Sequence, residues 1–171
     1  MPLYFAYGSN MSQRQMQQRC PGAQPFGRGR LSGWRFLITT RGGANIVRDP
    51  DADVHGVLWR VSPRHLKLLD RWEGTREGVY RRAWVPVIAN GRAHPAVAYI
   101  GDRRWPAKAR PNYILTAILP GAITFDLPAD YREDLSSWLA ARPIGPVSTI
   151  YRGRRSPRIP VRRPRRLVRG S

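Results

Sequence analysis

Glycine and proline interrupt this sequence throughout, and they limit the length of the helices and strands that it can form. The 171 residues include 16 Gly and 16 Pro, which favour turns and short elements over a helical bundle. Hydrophobic residues make up 42% of the chain, which is enough for one ordinary domain with a sizeable core. We therefore expect a single domain of short strands and short helices.

The hydrophobic pattern predicts strands first, with short helices between and after them. Asn90-Gly91 separates two of the strands and is a strong indication of a two-residue hairpin. Ser12 and Ser62 are candidate N-caps, the second with Pro at the first helical position. This order predicts an α+β fold with a strongly bent or barrel-like sheet. The predicted strands are 2–7, 27–31, 34–39, 44–48, 54–61, 79–88 and 93–100, and the predicted helices are 13–19, 63–71, 111–119 and 128–139.

Positive charge is concentrated at the end of the chain. There are 30 Lys and Arg against 11 Asp and Glu, a net charge of +19, and residues 152–171 contain nine Arg and no acidic residue. Pro and Arg dominate from residue 142 onward, so we predict a folded domain in 1–141 and a basic, extended or disordered tail in 142–171. Such a tail is expected to contact polyanions. Together with the six Trp it leaves a nucleic-acid-binding function open, although no known nucleic-acid-binding motif is present.

Several classes of site are disfavoured by the residues themselves. Cys20 is the single cysteine, which excludes an internal disulfide and a cysteine-based metal site. His55, His65 and His94 lack ligand-like spacing with Asp or Glu, so we predict no metal and no other cofactor. There is neither a Gly-x-Ser-x-Gly motif nor an apolar run of transmembrane length, and no leader is evident. We expect a cytoplasmic protein with no membrane partner.

The segment Tyr4-Phe5-Ala6-Tyr7-Gly8-Ser9-Asn10 is the first candidate binding element. A strand that ends in Gly-Ser-Asn before a helix can direct several backbone N–H groups to one point and bind an anion. Glycine lets a ligand approach the backbone closely, and Ser9 and Asn10 add polar side chains. The alternative is an ordinary strand-to-helix turn with Asn10 or Ser12 as its cap, and spacing alone slightly favours this alternative.

Glu73 is the candidate acid or base. It lies where the helix that begins after Ser62 should end, next to Trp72 and Gly74. A carboxylate at a helix C-terminus in an apolar setting is disfavoured as an anion, so its pKa should rise toward the range of a general base. The alternative is a solvated charge that pairs with a neighbouring arginine.

Taken together in their order along the chain, these motifs resemble the γ-glutamylcyclotransferase family, including its AIG2-like and γ-glutamylamine cyclotransferase members. The resemblance covers roughly residues 2–139. The matching segments are Tyr4 to Asn10, Val54 to Trp59, Leu69-Asp70-x-x-Glu73-Gly74, Gly78-x-Tyr80, Pro111-x-Tyr113, Gly121 and Leu127-Pro128-x-x-Tyr131.

The resemblance implies a compact single α+β domain around a small mixed β-barrel, with short flanking helices and Glu73 as the catalytic acid/base. It implies an enzyme that converts a γ-glutamyl amino acid, peptide or amine to 5-oxoproline and the free amine, with no metal or cofactor. A nucleic-acid-binding protein, or a non-catalytic ligand-binding protein that uses the basic tail, is the alternative. The substrate-binding residues that it implies are Tyr4, Phe5, Ala6, Tyr7, Gly8, Ser9, Asn10, Tyr80 and Tyr113.

Overall fold

Five strands form a closed barrel in a computed structural model that describes residues 1–102 and 111–139. The strand order around the barrel is β1-β3-β2-β4-β5. All neighbouring pairs are antiparallel except β1 and β5, which run parallel, so the barrel is mixed. The predicted fold class, an α+β domain around a small mixed barrel, is confirmed. The strands are β1 (Leu3–Ala6), β2 (Gln24–Ile38), β3 (Ala44–Arg60), β4 (Tyr80–Ala89) and β5 (Arg92–Gly101).

The helices flank the barrel and are short, as the sequence predicted. A 3-10 turn (Ser9–Met11) follows β1 and leads into α1 (Gln13–Arg19), whose N-cap is the Ser12 side chain. α2 (Pro63–Glu73) begins at an N-cap on Ser62 and ends at Gly74. A further helical stretch consists of α3 (Pro111–Tyr113), a π-helical turn (Ile114–Ile118) and α4 (Leu119–Thr124), and α5 (Ala129–Ser137) follows it.

The sequence predicted the β4–β5 hairpin correctly but divided β2 and β3 into shorter strands. β4 and β5 meet at Asn90-Gly91, where both residues have positive φ (49° and 73°), as the predicted hairpin turn requires. The predictions of separate strands 27–31 and 34–39, and of 44–48 and 54–61, are wrong. Each pair is one continuous strand, because Ser32 to Trp34 and Asp49 to Asp53 form a bulge instead of ending the ladder.

The barrel and its flanking helices enclose one hydrophobic core. Phe5, Trp59 and Leu69 are fully buried in it, which brings β1, β3 and α2 together. Not every Trp lies in this core, since Trp72 and Trp84 are 60% and 68% exposed. The tail predicted in 142–171, and the 141/142 boundary itself, fall outside the described residues.

Candidate active site

The end of β1 forms one wall of a cleft at the mouth of the barrel. Tyr4 packs edge-to-face against Tyr99 of β5, with ring centroids 5.8 Å apart. Tyr7, just after the strand, donates a hydrogen bond to the backbone carbonyl of Tyr99. β1 pairs with β3 on one side and with β5 on the other, and these two ladders hold the strand and its following turn in place.

Helix α2 places Glu73 on the opposite wall of the cleft. Glu73 is the last helical residue, and the chain turns away at Gly74, which adopts a left-handed conformation (φ 62°) that favours glycine. One turn earlier, Asp70 accepts hydrogen bonds from Arg82 Nε at 2.7 Å and from the Tyr99 hydroxyl at 2.8 Å. These bonds tie the end of the helix to β4 and β5 and so fix where the Glu73 side chain lies.

Asn10 connects the two walls. Its side-chain Nδ2 donates to Glu73 Oε1 at 3.0 Å and to the Tyr4 hydroxyl at 2.8 Å. Its Oδ1 accepts from Gln15 Nε2 at 3.0 Å and from Arg19 Nη1 at 2.9 Å. All four polar contacts of the amide are therefore made inside the protein, and Asn10 is only 3% exposed.

Burial dominates the electrostatics of Glu73. Its side chain is 17% exposed, and removal from water raises the pKa of the carboxyl, while Arg19 and the hydrogen bond from Asn10 oppose that rise. The direction agrees with the prediction from sequence, but the predicted cause was incomplete. Trp72 does not bury the carboxyl, because its ring is turned outward. The Arg19 guanidinium lies over this ring, with its central carbon Cζ 4.9 Å from the ring centroid.

The rest of the cleft is lined by tyrosine hydroxyls and backbone. Burial raises the pKa of every tyrosine among the lining residues, so these hydroxyls stay neutral at physiological pH. Glu73 is thus the one acidic side chain among the lining residues in the described part of the chain. The lining residues are Tyr4, Tyr7, Gly8, Ser9, Asn10, Ala44, Glu73, Tyr80, Tyr99 and Tyr113.

Tyr80 and Tyr113 converge on the first residue of β3. The Tyr80 hydroxyl donates to the Ala44 carbonyl at 2.7 Å, and the Ala44 N–H donates to the Tyr113 hydroxyl at 3.4 Å. Tyr113 also has polar contacts with the hydroxyl and backbone of Ser9. Gly8 is packed closely here, since a Cβ on it would lie 3.0 Å from Ala44 Cβ and 3.4 Å from the Tyr113 hydroxyl.

The structure brings most of the sequence-predicted site residues into this one cleft. Phe5 and Ala6 are the exceptions, because both are buried and neither lines the cleft. Side chains of a strand alternate between its two faces, and Phe5 packs on the other face against Gly56. The substrate-binding role predicted for Phe5 and Ala6 stays a prediction. The predicted residues that do line the cleft are Tyr4, Tyr7, Gly8, Ser9, Asn10, Glu73, Tyr80 and Tyr113.

Sequence reasoning missed Arg19, Gln15 and Tyr99. Arg19 lies at the end of α1, 54 positions before Glu73 in the chain, yet their Nη1 and Oε1 atoms are 3.7 Å apart. No spacing rule relates two helices that meet only in the folded state. Tyr99 lies in the predicted strand 93–100, but the sequence does not show which strand lies next to it. The structure shows that β5 pairs in parallel with β1, which brings Tyr99 to the site.

Two further findings concern other classes of site. Within residues 1–102 and 111–139, no three His, Cys, Asp or Glu side chains are grouped closely enough to hold a metal ion. None of the helices described is both long and apolar enough to cross a membrane.

A comparison with protein-family models shows which family the chain belongs to. Residues 4–116 match the model for "Gamma-glutamyl cyclotransferase, AIG2-like", a span that includes Glu73 and nearly the whole described barrel. The chain belongs to this family. The expectation of a γ-glutamylcyclotransferase-type enzyme is confirmed at the level of the family.

Individual γ-glutamylcyclotransferases are similar over most of the chain. The protein of that name from Homo sapiens is 32% identical over 146 residues, which cover 79% of this chain and 77% of the human one. The Bos taurus protein is 30% identical over the same shares. A solved structure of a γ-glutamyl cyclotransferase superposes with a TM-score of 0.75 at 29% identity, covering 91% of this chain and 93% of the other.

Proposed function

We propose that this protein cyclises the γ-glutamyl group of a small amide to 5-oxoproline and releases the amine, with Glu73 as general base and then general acid. The observation on which the proposal rests is the position of Glu73. It is a largely buried carboxylate with a raised pKa, it faces neutral hydroxyls, and Asn10 and Arg19 hold it from one side. A carboxylate poised in this way suits proton transfer near neutral pH.

The substrate would supply its own nucleophile. In a γ-glutamyl amide the α-amine can reach the γ-carbonyl carbon and close a five-membered ring. The amine arrives protonated, so Glu73 first accepts a proton from it. The nitrogen then attacks the carbonyl carbon, the carbonyl oxygen becomes an oxyanion, and Glu73 returns the proton to the departing nitrogen as the oxyanion collapses and the bond to that nitrogen breaks. Glu73 next accepts the second proton from the new ring nitrogen, which leaves the lactam N–H of 5-oxoproline, and passes it to the released amine, which departs as an ammonium ion. Two protons thus move from the α-ammonium group to the leaving nitrogen through one carboxylate, and no enzyme nucleophile is needed.

Orientation would provide much of the rate. Well-oriented intramolecular reactions gain about 7–11 kcal/mol over their bimolecular counterparts, so a cleft that folds the substrate onto itself needs little further chemistry. The tyrosine hydroxyls and the backbone of the Gly8-Ser9 turn are our candidates for holding the α-carboxylate and the developing oxyanion. Removing one donor of this kind typically costs about 2.7–4 kcal/mol of transition-state stabilisation.

The polar contacts around Ala44 support this assignment. The hydroxyls of Tyr80 and Tyr113 and the Ser9 side chain meet within one small region of the cleft. Neutral donors of this sort can bind the α-carboxylate without a positive side chain, which leaves Glu73 to interact with the α-ammonium group of the substrate. The proposed substrates are γ-glutamyl amino acids, peptides and amines.

A product assay tests the proposed function. The purified full-length protein is incubated with a panel of γ-glutamyl dipeptides and γ-glutamylamines, and 5-oxoproline and the free amine are quantified together. We expect the two products in equal amounts from at least one class of substrate. Release of glutamate in place of 5-oxoproline would mean that water is the nucleophile and would contradict the mechanism.

A further inference from the structure

Arg19 is the one cation that faces Glu73 among the described residues. Its Nη1 lies 3.7 Å from Glu73 Oε1, and its side chain is 21% exposed. The other titratable groups facing the carboxyl are the hydroxyls of Tyr4, Tyr7, Tyr80 and Tyr113, all of them neutral. The charge state of Glu73 therefore depends on a single positive partner from another helix.

The same nitrogen of Arg19 also fixes the orientation of the Asn10 amide. Arg19 Nη1 donates to Asn10 Oδ1 at 2.9 Å, and Gln15 Nε2 donates to the same oxygen. A guanidinium has no acceptor, so the side of the amide that it contacts must be the oxygen. The Nδ2 side is then directed to Glu73 Oε1 and the Tyr4 hydroxyl.

These contacts make the two oxygens of Glu73 unequal. Oε1 receives the hydrogen bond from Asn10 and lies beside Arg19. No described residue donates a hydrogen bond to Oε2. The oxygen that is not engaged has free lone pairs to accept a proton from a ligand in the cleft.

We propose that Arg19 is a positioning residue that acts through Asn10, keeping Glu73 ionised and presenting Oε2 as the proton-accepting oxygen. This inference rests on the proposed function, because it assumes that Glu73 transfers the proton. The stacking of the guanidinium on the exposed Trp72 ring adds support, since it holds the long side chain in the conformation that reaches the site.

The first test is the pH dependence of kcat/KM for Arg19→Met, measured beside wild type and Arg14→Met. Arg14 is an exposed arginine on the same helix, so its replacement removes one charge of the same sign without removing the hydrogen bond or the ion pair to the carboxyl. We expect Arg19→Met to move the acidic limb of the profile to higher pH and to lose about tenfold on that limb, the usual effect of removing an opposite charge at this distance. Arg14→Met should match wild type.

Arg19→Lys is the conservative variant. Both contacts of Arg19 with the site come from Nη1 alone, so one ammonium can replace them if it reaches the same point. We expect Arg19→Lys to return the acidic limb most of the way to its position in wild type. An acidic limb that stays in place in Arg19→Met, with KM raised and kcat unchanged, would overturn the inference and indicate that Arg19 binds substrate directly.

The second test does not depend on turnover. NMR titration of the Glu73 side-chain carboxyl, with Glu73→Gln to assign the signal, should show a higher midpoint in Arg19→Met than in wild type. An unchanged midpoint overturns the inference even if the enzyme is active. Failure of the proposed function is distinguishable, because it would appear as wild-type protein that forms no 5-oxoproline while the carboxyl still responds to Arg19.

Discussion

Asn10 Nδ2 donates a hydrogen bond of 3.0 Å to Glu73 Oε1, and this bond joins the turn after β1 to the last residue of α2. Two segments that are far apart in sequence thus form one polar unit inside the cleft. The unit is largely buried, and both polar atoms of the Asn10 amide have partners inside the protein, as buried polar groups require. The predictions below examine what each half of this unit does.

Asn10→Asp is expected to weaken activity at low pH. It replaces a donor to Glu73 with a second carboxyl group, and two carboxylates in contact cannot both ionise readily. The acidic limb of the kcat/KM profile should therefore move to higher pH, with roughly tenfold lower kcat/KM at pH 6 and partial recovery at pH 8–9. Steady-state kinetics across that range measure the effect.

Gln18→Glu is the matched control for Asn10→Asp. It makes the same change from amide to carboxylate on an exposed position of α1, so it alters the net charge equally without adding a group to the cleft. Its pH profile should overlay that of wild type. Equal shifts in both variants would show that the net charge of the protein, and not contact with Glu73, determines the pH of the acidic limb.

Glu73→Gln is expected to leave the folded state as stable as wild type or slightly more stable at neutral pH. Burial raises the pKa of Glu73 in the folded protein. At pH values between the unfolded pKa, about 4.3, and the higher folded pKa, the folded state therefore binds more protons than the unfolded chain. Stability is therefore lost across this window as pH rises. Glutamine keeps an acceptor for Asn10 and has no such loss.

Thermal unfolding at several pH values checks this. The Tm of Glu73→Gln should exceed that of wild type by a few degrees at most at pH 7–8, and the gap should close near pH 4, where the wild-type carboxyl is protonated. If the variant is clearly less stable at pH 7–8, the ion pair with Arg19 outweighs the cost of burying the charge.

Much of the fold, and part of the site, could be predicted from the sequence because the determining signals are local. The Ser12 and Ser62 caps and the Asn90-Gly91 turn act within a few residues of themselves, and each appears as predicted. The continuity of β2 and β3 could not be predicted. Asp49-Pro50-Asp51 looks like a turn, but pairing on both sides of the bulge keeps it within the strand.

The partners of Glu73 could not be predicted for a similar reason. Its position at the end of a helix was visible in the sequence, and so was the direction of its pKa shift. Arg19 approaches from a different helix, and the neighbouring Trp72 turns outward instead of providing the apolar setting expected for Glu73. Which side chains meet at the cleft is decided by the barrel that holds α1, α2 and β1 together.

Deleting residues 152–171 is expected to leave activity on small substrates nearly unchanged. The segment lies beyond residues 4–116, which match the family model, and its nine Arg with no acidic residue predict binding to polyanions. The deletion should weaken binding to duplex DNA. For the full chain, a plot of the logarithm of the DNA-binding constant against the logarithm of salt concentration should fall with a slope of roughly 0.9 for each phosphate neutralised. A folded truncation that loses 5-oxoproline formation would show that the tail contributes to the active site.

The most direct test of the account is the rate of 5-oxoproline formation by Glu73→Gln, with the exposed Glu77→Gln as control. General acid–base catalysis typically contributes 10²–10⁴-fold, so Glu73→Gln should lose at least about 100-fold in kcat while KM changes little, and Glu77→Gln should match wild type. A Glu73→Gln rate within about threefold of wild type, equivalent to less than about 0.7 kcal/mol of transition-state stabilisation, would contradict the assignment of Glu73 as the acid/base.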